Sequence, residues 1–393
     1  MQTSDGADEA LFPRLHQGGG VPADEWSRSV RRSSDGSERV SLGGQPRAGG
    51  RSPVTPPMER AARNTKHVRW ECARHGGLVG HQRTEAGAAG VAGAMNGLTI
   101  QLDEDDLVGT FGCPDGDGPF SGVLALGGSD GGVPEYFLSL LVPEGFACLA
   151  LAYFNTPDTQ PALVEVPLER VARALRWMRS HPRVSAHGGR IAMIGGSKGG
   201  ELALLMAATF PDLVGPVVAY TPSSVVWAGI DFSQRGGSMR SSWSLGGQPV
   251  PFVPYPAGVA PSWSDKGMSV RPIYDHGLDN ARAVDVATIP IERATGPVLL
   301  ISGGDDQMWP AERMCMMVVD RMRRAGRETL VRHLNFPEAG HVLFPYHAPP
   351  GSGAVPPMHF DLGGSAESGS SAHATAWPEV VRHLRQPGAM GAA

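Results

Sequence analysis

A serine flanked by glycines, Gly195-Gly196-Ser197-Lys198-Gly199, follows the apolar run Ile191–Ile194 directly and precedes an amphipathic stretch that reads as a helix over Gly199–Phe210. A strand that passes into a helix through so short a link must turn sharply, and Cβ atoms on both sides of the turn would strike the strand and helix they join. Such a turn raises the Ser197 hydroxyl above a sheet edge. It also leaves the backbone N–H of Lys198 at a helix N-terminus, where a donor and the helix dipole favour developing negative charge. With 53 glycines in 393 residues, G-x-S-x-G carries meaning only through this strand-before, helix-after setting.

The same alternation extends over residues 95–393. Strands are expected at Leu98–Leu102, Val123–Leu126, Phe146–Tyr153, Arg190–Ile194, Leu213–Tyr220, Pro297–Ser302 and Thr329–Asn335. Between them, helices are expected at Pro134–Leu141, Gly199–Phe210 and Pro310–Ala325, with a last one near Ala376–Leu384. Leu168, Val171, Ala172, Leu175 and Met178 form one further helical stripe. Phe146–Tyr153 is apolar throughout, as a strand covered on both faces requires. The expected class is therefore α/β, with a mainly parallel sheet flanked by helices.

Two segments depart from this pattern. Residues 1–94 hold only 12 Leu, Ile, Val and Phe, too few to bury a core, and are expected to be disordered. Residues 222–295 are rich in Gly, Pro and Ser and carry Trp227, Trp243, Phe252, Tyr255 and Trp263. They read as an irregular insertion, whose rings form either a lid and pocket wall or anchors to the body.

Composition narrows the function. Lys+Arg 34 against Asp+Glu 39 gives a net charge of -5, which argues against a nucleic-acid partner held on a basic face. Cys72, Cys113, Cys148 and Cys315 form no C-x-x-C pair, so zinc-ribbon, redox-motif and disulfide-scaffold readings fall away. A cytoplasmic setting is expected, with no membrane span and no secretory leader.

A serine nucleophile needs a base, and the base needs an orienting acid. Asp305 and Asp306 follow the strand Pro297–Ser302, and His341 follows the next strand by a short loop. The order Ser, acid, His is that of sheet-edge hydrolases. Either aspartate can be the acid on spacing alone, the other then serving as a turn or cap carboxylate. His333, His347 and His359 compete with His341. Gly127–Gly132 after an early strand can supply a second oxyanion donor, assigned to the backbone of Ser129, although Asp130 beside it would oppose an anion unless turned away. The run matches neither G-x-x-x-x-G-K-[ST] nor G-x-G-x-x-G, so no nucleotide, cofactor or metal is expected.

Gly127-Gly128-Ser129-Asp130-Gly131-Gly132, Leu151-Ala152-Tyr153-Phe154-Asn155, Ile194-Gly195-Gly196-Ser197-Lys198-Gly199-Gly200-Glu201-Leu202 and Gly303-Gly304-Asp305-Asp306-Gln307-Met308-Trp309 together resemble the catalytic domain of acyl-CoA thioesterases and bile acid-CoA:amino acid N-acyltransferases. The resemblance implies an α/β-hydrolase fold and a triad mapped onto Ser197, Asp306 and His341, and it is what favours the second aspartate. Acyltransferase members carry Cys at the elbow, so Ser197 implies water as acceptor and an acyl thioester as substrate. Animal members have an N-terminal β-sandwich that residues 1–94 do not resemble, and the insertion shows no basic patch for CoA phosphates. Competing expectations are a carboxylesterase or dienelactone-hydrolase-like esterase, an amino acid N-acyltransferase, and a silent binding protein on the same fold.

Overall fold

The computed structural model describes residues 97–104, 107–231, 233, 238–343 and 360–386. The disorder expected for residues 1–94, and the competitors His347 and His359, lie outside these residues.

Among the described residues, eight strands make the main sheet: β1 (Gly97–Glu104), β2 (Leu107–Pro114), β3 (Phe120–Leu126), β4 (Phe146–Ala152), β5 (Ile191–Gly196), β6 (Val214–Tyr220), β7 (Val298–Gly303) and β8 (Val331–Phe336). Their spatial order is β1-β2-β4-β3-β5-β6-β7-β8, with the short Val184–Ser185 strand added against β3. β2 runs antiparallel to both neighbours, and every pairing from β4 to β8 is parallel. This order with one reversed strand is the α/β-hydrolase sheet.

The helices are α1 (Tyr136–Leu141), α2 (Leu168–Ser180), α3 (Lys198–Thr209), α4 (Arg271–Leu278), α5 (Ala281–Ala287), α6 (Ala311–Arg324) and α7 (Ala366–Leu384). Because successive strand residues face opposite ways, each strand feeds two cores. Leu124, Leu126, Leu149 and Met193 pack with α2, α3 and α6 through Leu175, Leu205 and Val318. Val123, Ala125, Cys148 and Ile194 pack with α1 and α7 through Leu141, Ala376 and Val380. β4, β5, β6 and β7 are buried at every position, which explains their largely apolar sequences. Among the described residues no helix is long and apolar enough to cross a membrane.

Register aligns the strand ends. Leu126 lies opposite Gly195, Gly196 opposite Tyr220, Tyr220 opposite Ile301, and Gly303 opposite Phe336. The loops leaving β3, β5, β6, β7 and β8 therefore emerge along one edge, where open α/β sheets place their sites.

Three sequence expectations need correction. β2 was not anticipated; Gly109 and Gly112 break its apolar pattern, and at Gly109 a Cβ would fall 2.4 Å from the Ala150 carbonyl of β4. The C-terminal helix starts ten residues earlier than expected, at Ala366, because a Ser365–Ser368 capping box opens it before its apolar stripe begins. The insertion is not irregular throughout. It holds α4, α5 and two short hairpins, Trp243–Leu245 with Gln248–Pro249 and Ser262–Ser264 with Gly267–Ser269. Its rings divide: Trp227 and Trp243 are fully buried anchors, whereas Trp263 is 69% exposed.

The insertion and the approach to α7 brace the loop after β7. Arg271 donates to the carbonyls of Gly304 and Asp306, and the Ser269 hydroxyl donates to the Gln307 carbonyl. Asp305 accepts the Gly364 N–H at 2.8 Å on one oxygen and the Gln307 amide at 3.0 Å on the other. The Gly364 hydrogen bond, more than any other interaction, holds the Asp305 carboxyl below its ordinary range.

A carboxyl depressed on folding stabilises the fold above its unfolded pKa, about 4, and that contribution disappears as pH falls through the lower folded value. Asp305→Asn is accordingly expected to lower the urea midpoint at pH 7, with the gap to wild type narrowing below pH about 4. A gap of the same size at pH 7 and pH 3 overturns this. At Gly199 a Cβ would lie 2.3 Å from the Gly127 carbonyl and 2.5 Å from that of Leu126, both fixed backbone. Gly199→Ala should cost about 1–3 kcal/mol of stability in urea unfolding; an unchanged midpoint contradicts the close packing of α3 on β3.

Candidate active site

Ser197 is the N-cap of α3 at φ 55° and ψ −120°, a conformation that L-residues rarely adopt. Its surroundings hold it there. Its N–H donates to the Tyr220 carbonyl at 2.9 Å, and its own carbonyl accepts the Glu201 N–H at 3.0 Å. At Gly195 a Cβ would come within 2.3 Å of the Gly199 carbonyl, so a larger residue there would force the turn open. The Gly127–Gly132 loop lies beside this elbow, since a Cβ on Gly128 would be 3.6 Å from the Ser197 Cβ and 3.3 Å from an Asp130 carboxylate oxygen. The loop expected to offer Ser129 and the helix start that carries Lys198 thus meet at Ser197.

Of the two aspartates, Asp306 is the one joined to His341. Its Oδ2 lies 2.8 Å from His341 Nδ1, and its Oδ1 accepts the N–H groups of Met308 at 2.9 Å and Trp309 at 3.2 Å. Asp306 is fully buried and His341 nearly so. A carboxylate at Nδ1 fixes the proton of a neutral imidazole there and leaves Nε2 as the acceptor. Asp305 takes the turn-clamping place described above. His333 is removed from the competition because its Nε2 lies 2.7 Å from the Ser302 hydroxyl, within the sheet.

Among the described residues no direct hydrogen bond joins the Ser197 hydroxyl to His341; catalytic contacts of this kind commonly tighten only when substrate binds. The two share a corner at the end of β6 instead. Tyr220 accepts the Ser197 N–H, and the next residue, Thr221, donates its hydroxyl to the His341 carbonyl at 3.2 Å. The Thr221 carbonyl accepts the Trp309 indole N–H at 3.0 Å, and the Trp309 backbone N–H is itself a donor to Asp306. Thr221 has φ 39°, so this corner is strained as well. Sequence reasoning missed Thr221, because nothing in Tyr220-Thr221-Pro222 identifies a residue whose function is to tie three loops together.

Behind the elbow lies a buried ion pair. The Lys198 ammonium is 2.6 Å from Glu201 Oε1, which also accepts the Trp243 indole N–H at 2.7 Å. Burial pushes the Lys198 pKa down and that of Glu201 up, while their mutual attraction opposes both shifts. The spacing is legible in the sequence, since residues three apart on a helix share a face. Its burial by a tryptophan from the insertion is not. Among the described residues no group of three or more His, Cys, Asp or Glu side chains could hold a metal ion.

The family model described as BAAT / Acyl-CoA thioester hydrolase C terminal matches residues 166–388. Acyl-coenzyme A thioesterase 6 of Mus musculus is 31% identical over 293 residues, 72% of this chain and 63% of that protein. Acyl-coenzyme A amino acid N-acyltransferase 1 of Mus musculus is 30% identical over 289 residues, 73% of this chain and 64% of that protein. The chain thus spans less than two thirds of these relatives. Among solved structures, a bacterial heroin esterase aligns with TM-score 0.43 and 19% identity over 75% of this chain and 84% of that one. A putative dienelactone hydrolase from Klebsiella pneumoniae aligns with TM-score 0.42 and 17% identity over 71% and 93%. With a match that covers more than half of its length and contains the elbow, the buried aspartate and its histidine, the chain belongs to the BAAT/acyl-CoA thioester hydrolase C-terminal family.

Proposed function

We propose that this protein is a serine-dependent hydrolase of acyl thioesters, with acyl-CoA as the substrate class. The observation that carries the reading is the buried Asp306–His341 hydrogen bond, tied through the Tyr220–Thr221 corner to the strained serine of the elbow. An acid fixed by two backbone N–H groups and one imidazole has a single orientation, and it orients the imidazole in turn.

In the proposed reaction, His341 Nε2 removes the Ser197 proton as the hydroxyl oxygen attacks the thioester carbonyl. The N–H groups of Lys198 and Ser129 stabilise the oxyanion, and Asp306 stabilises the imidazolium. The C–S bond then breaks, the thiol leaves with the proton from His341, and an acyl-serine remains. Water, deprotonated by the same imidazole, attacks this ester and releases the free acid and Ser197. The family relationship supports the thioester as substrate, and a serine at the elbow supports water as acceptor. Cys113, Cys148 and Cys315 are buried and unpaired, which fits the cytoplasmic setting we assign.

An amino acid N-acyltransferase is as similar to this chain as a thioesterase is. The test is therefore product analysis with a series of acyl-CoA chain lengths, with and without glycine and taurine. Free acid and CoA are expected; an amide conjugate as the main product would replace hydrolysis with transfer, and turnover of aryl esters alone would replace the thioester. Ser197→Ala should abolish both turnover and labelling by a fluorophosphonate. Asp306→Asn should lower kcat by about 10⁴, whereas Asp305→Asn should leave kcat close to wild type. Full activity in Ser197→Ala, or equal losses at the two aspartates, would overturn the assignment.

A further inference from the structure

The reaction above makes no use of a buried phenol that lies directly under the loop carrying the second oxyanion donor. Tyr153 is the first residue after β4 and is 1% exposed. Its ring packs against Phe154 and Trp243, and its Oη is a donor 2.7 Å from the Gly127 carbonyl and 3.0 Å from that of Gly128. Neighbouring residues continue the contact. Asn155, at φ 60°, donates its side-chain amide to the Asp130 carbonyl at 2.7 Å, and Gly132 N–H donates to the Phe154 carbonyl at 3.0 Å. Three carbonyls of the loop are thus drawn to one side, toward the segment 153–155.

In a trans peptide the C=O of one residue and the N–H of the next point in opposite directions. Fixing the Gly128 carbonyl on Tyr153 therefore turns the Ser129 N–H away from Tyr153, on a loop whose Gly128 touches the elbow at Ser197. Among the described residues the Ser129 N–H donates no hydrogen bond, so it is available to an incoming oxygen. Were the Gly128–Ser129 peptide to rotate, its carbonyl oxygen would replace the N–H and repel the anion it should stabilise. Burial first, and then the nearby Asp130 carboxylate, hold the phenol pKa well above 10, so Tyr153 remains a donor throughout the neutral range.

We infer that Tyr153, assisted by Asn155, is a positioning residue for the reaction: by capturing the Gly127 and Gly128 carbonyls it aims the Ser129 N–H at the oxyanion. This rests on the proposed serine hydrolase mechanism and deepens it. The role belongs to the transition state rather than to substrate binding, because the charge that the N–H meets exists only after attack.

Tyr153→Phe removes the hydroxyl and keeps the ring. Expected are a fall in kcat on acyl-CoA of about 10², as for loss of one oxyanion donor, with KM little changed. The affinity for a trifluoromethyl ketone, whose hemiketal with Ser197 presents the tetrahedral oxyanion, should fall in parallel. A loss through KM alone, or unchanged kcat and ketone affinity in a folded variant, overturns the inference. Should Tyr153→Phe fail to fold, Asn155→Gly decides: it keeps the left-handed backbone and removes the amide, and a smaller kcat loss at constant KM is expected, with wild-type kcat counting against the inference. Fluorophosphonate labelling of wild-type Ser197 separates the two levels. No labelling and no turnover in wild type removes the serine mechanism and this inference with it, while an active wild type matched by both variants removes only the role of Tyr153.

Discussion

A serine held at φ 55° and ψ −120° is a strained backbone that persists only where its surroundings leave it no alternative. Here the strain is sustained by close contacts in which backbone meets backbone. α3 lies so near β3 that a methyl group at Gly199 would overlap two carbonyls, and the Ser197 N–H is taken by the end of β6. These contacts set the height of the hydroxyl above the sheet. They also bring the loops after β3 and β6 to the same point, so the remaining parts of the site are arranged around the elbow.

The second constraint is the cost of burying charge. Asp306 is fully enclosed, a position tolerable for a carboxylate because Met308, Trp309 and His341 supply donors to both oxygens. Two of these donors and the loop are braced in turn: Trp309 by Thr221, His341 by Thr221 and Leu362, and the loop itself by Arg271 from the insertion. The insertion is consequently part of the framework of the site. Its Trp243 also completes the buried Lys198–Glu201 pair beneath the elbow, a pair that would be costly to break because either partner alone would be an uncompensated buried charge.

Much of this was legible before any coordinates. The apolar runs fixed which segments became buried parallel strands, and the glycines around Ser197 marked the turn. What escaped the pattern was either short, non-periodic or dependent on partners distant in sequence. β2 carries two glycines where strand periodicity would place side chains. α7 opens on a polar capping box. Thr221 and Tyr153 act through carbonyls 120 and about 25 residues away, contacts with no local signature. The two aspartates illustrate the limit best: adjacent in sequence and identical in type, they point to different partners, Asp305 to Gly364 and Asp306 to His341.

By itself, then, the chain determined an α/β architecture and the place of its nucleophile candidate, because both follow from local spacing: period two or 3.6 for burial, and small residues where strand and helix must nearly touch. Tertiary structure alone decided which carboxylate meets the imidazole, which histidine is set apart in the sheet, and which tyrosine holds the Gly127–Gly132 loop. Those outcomes depend on hydrogen-bond distances of about 3 Å between residues brought together only by sheet register, and register is a property of how strands align, not of any one of them.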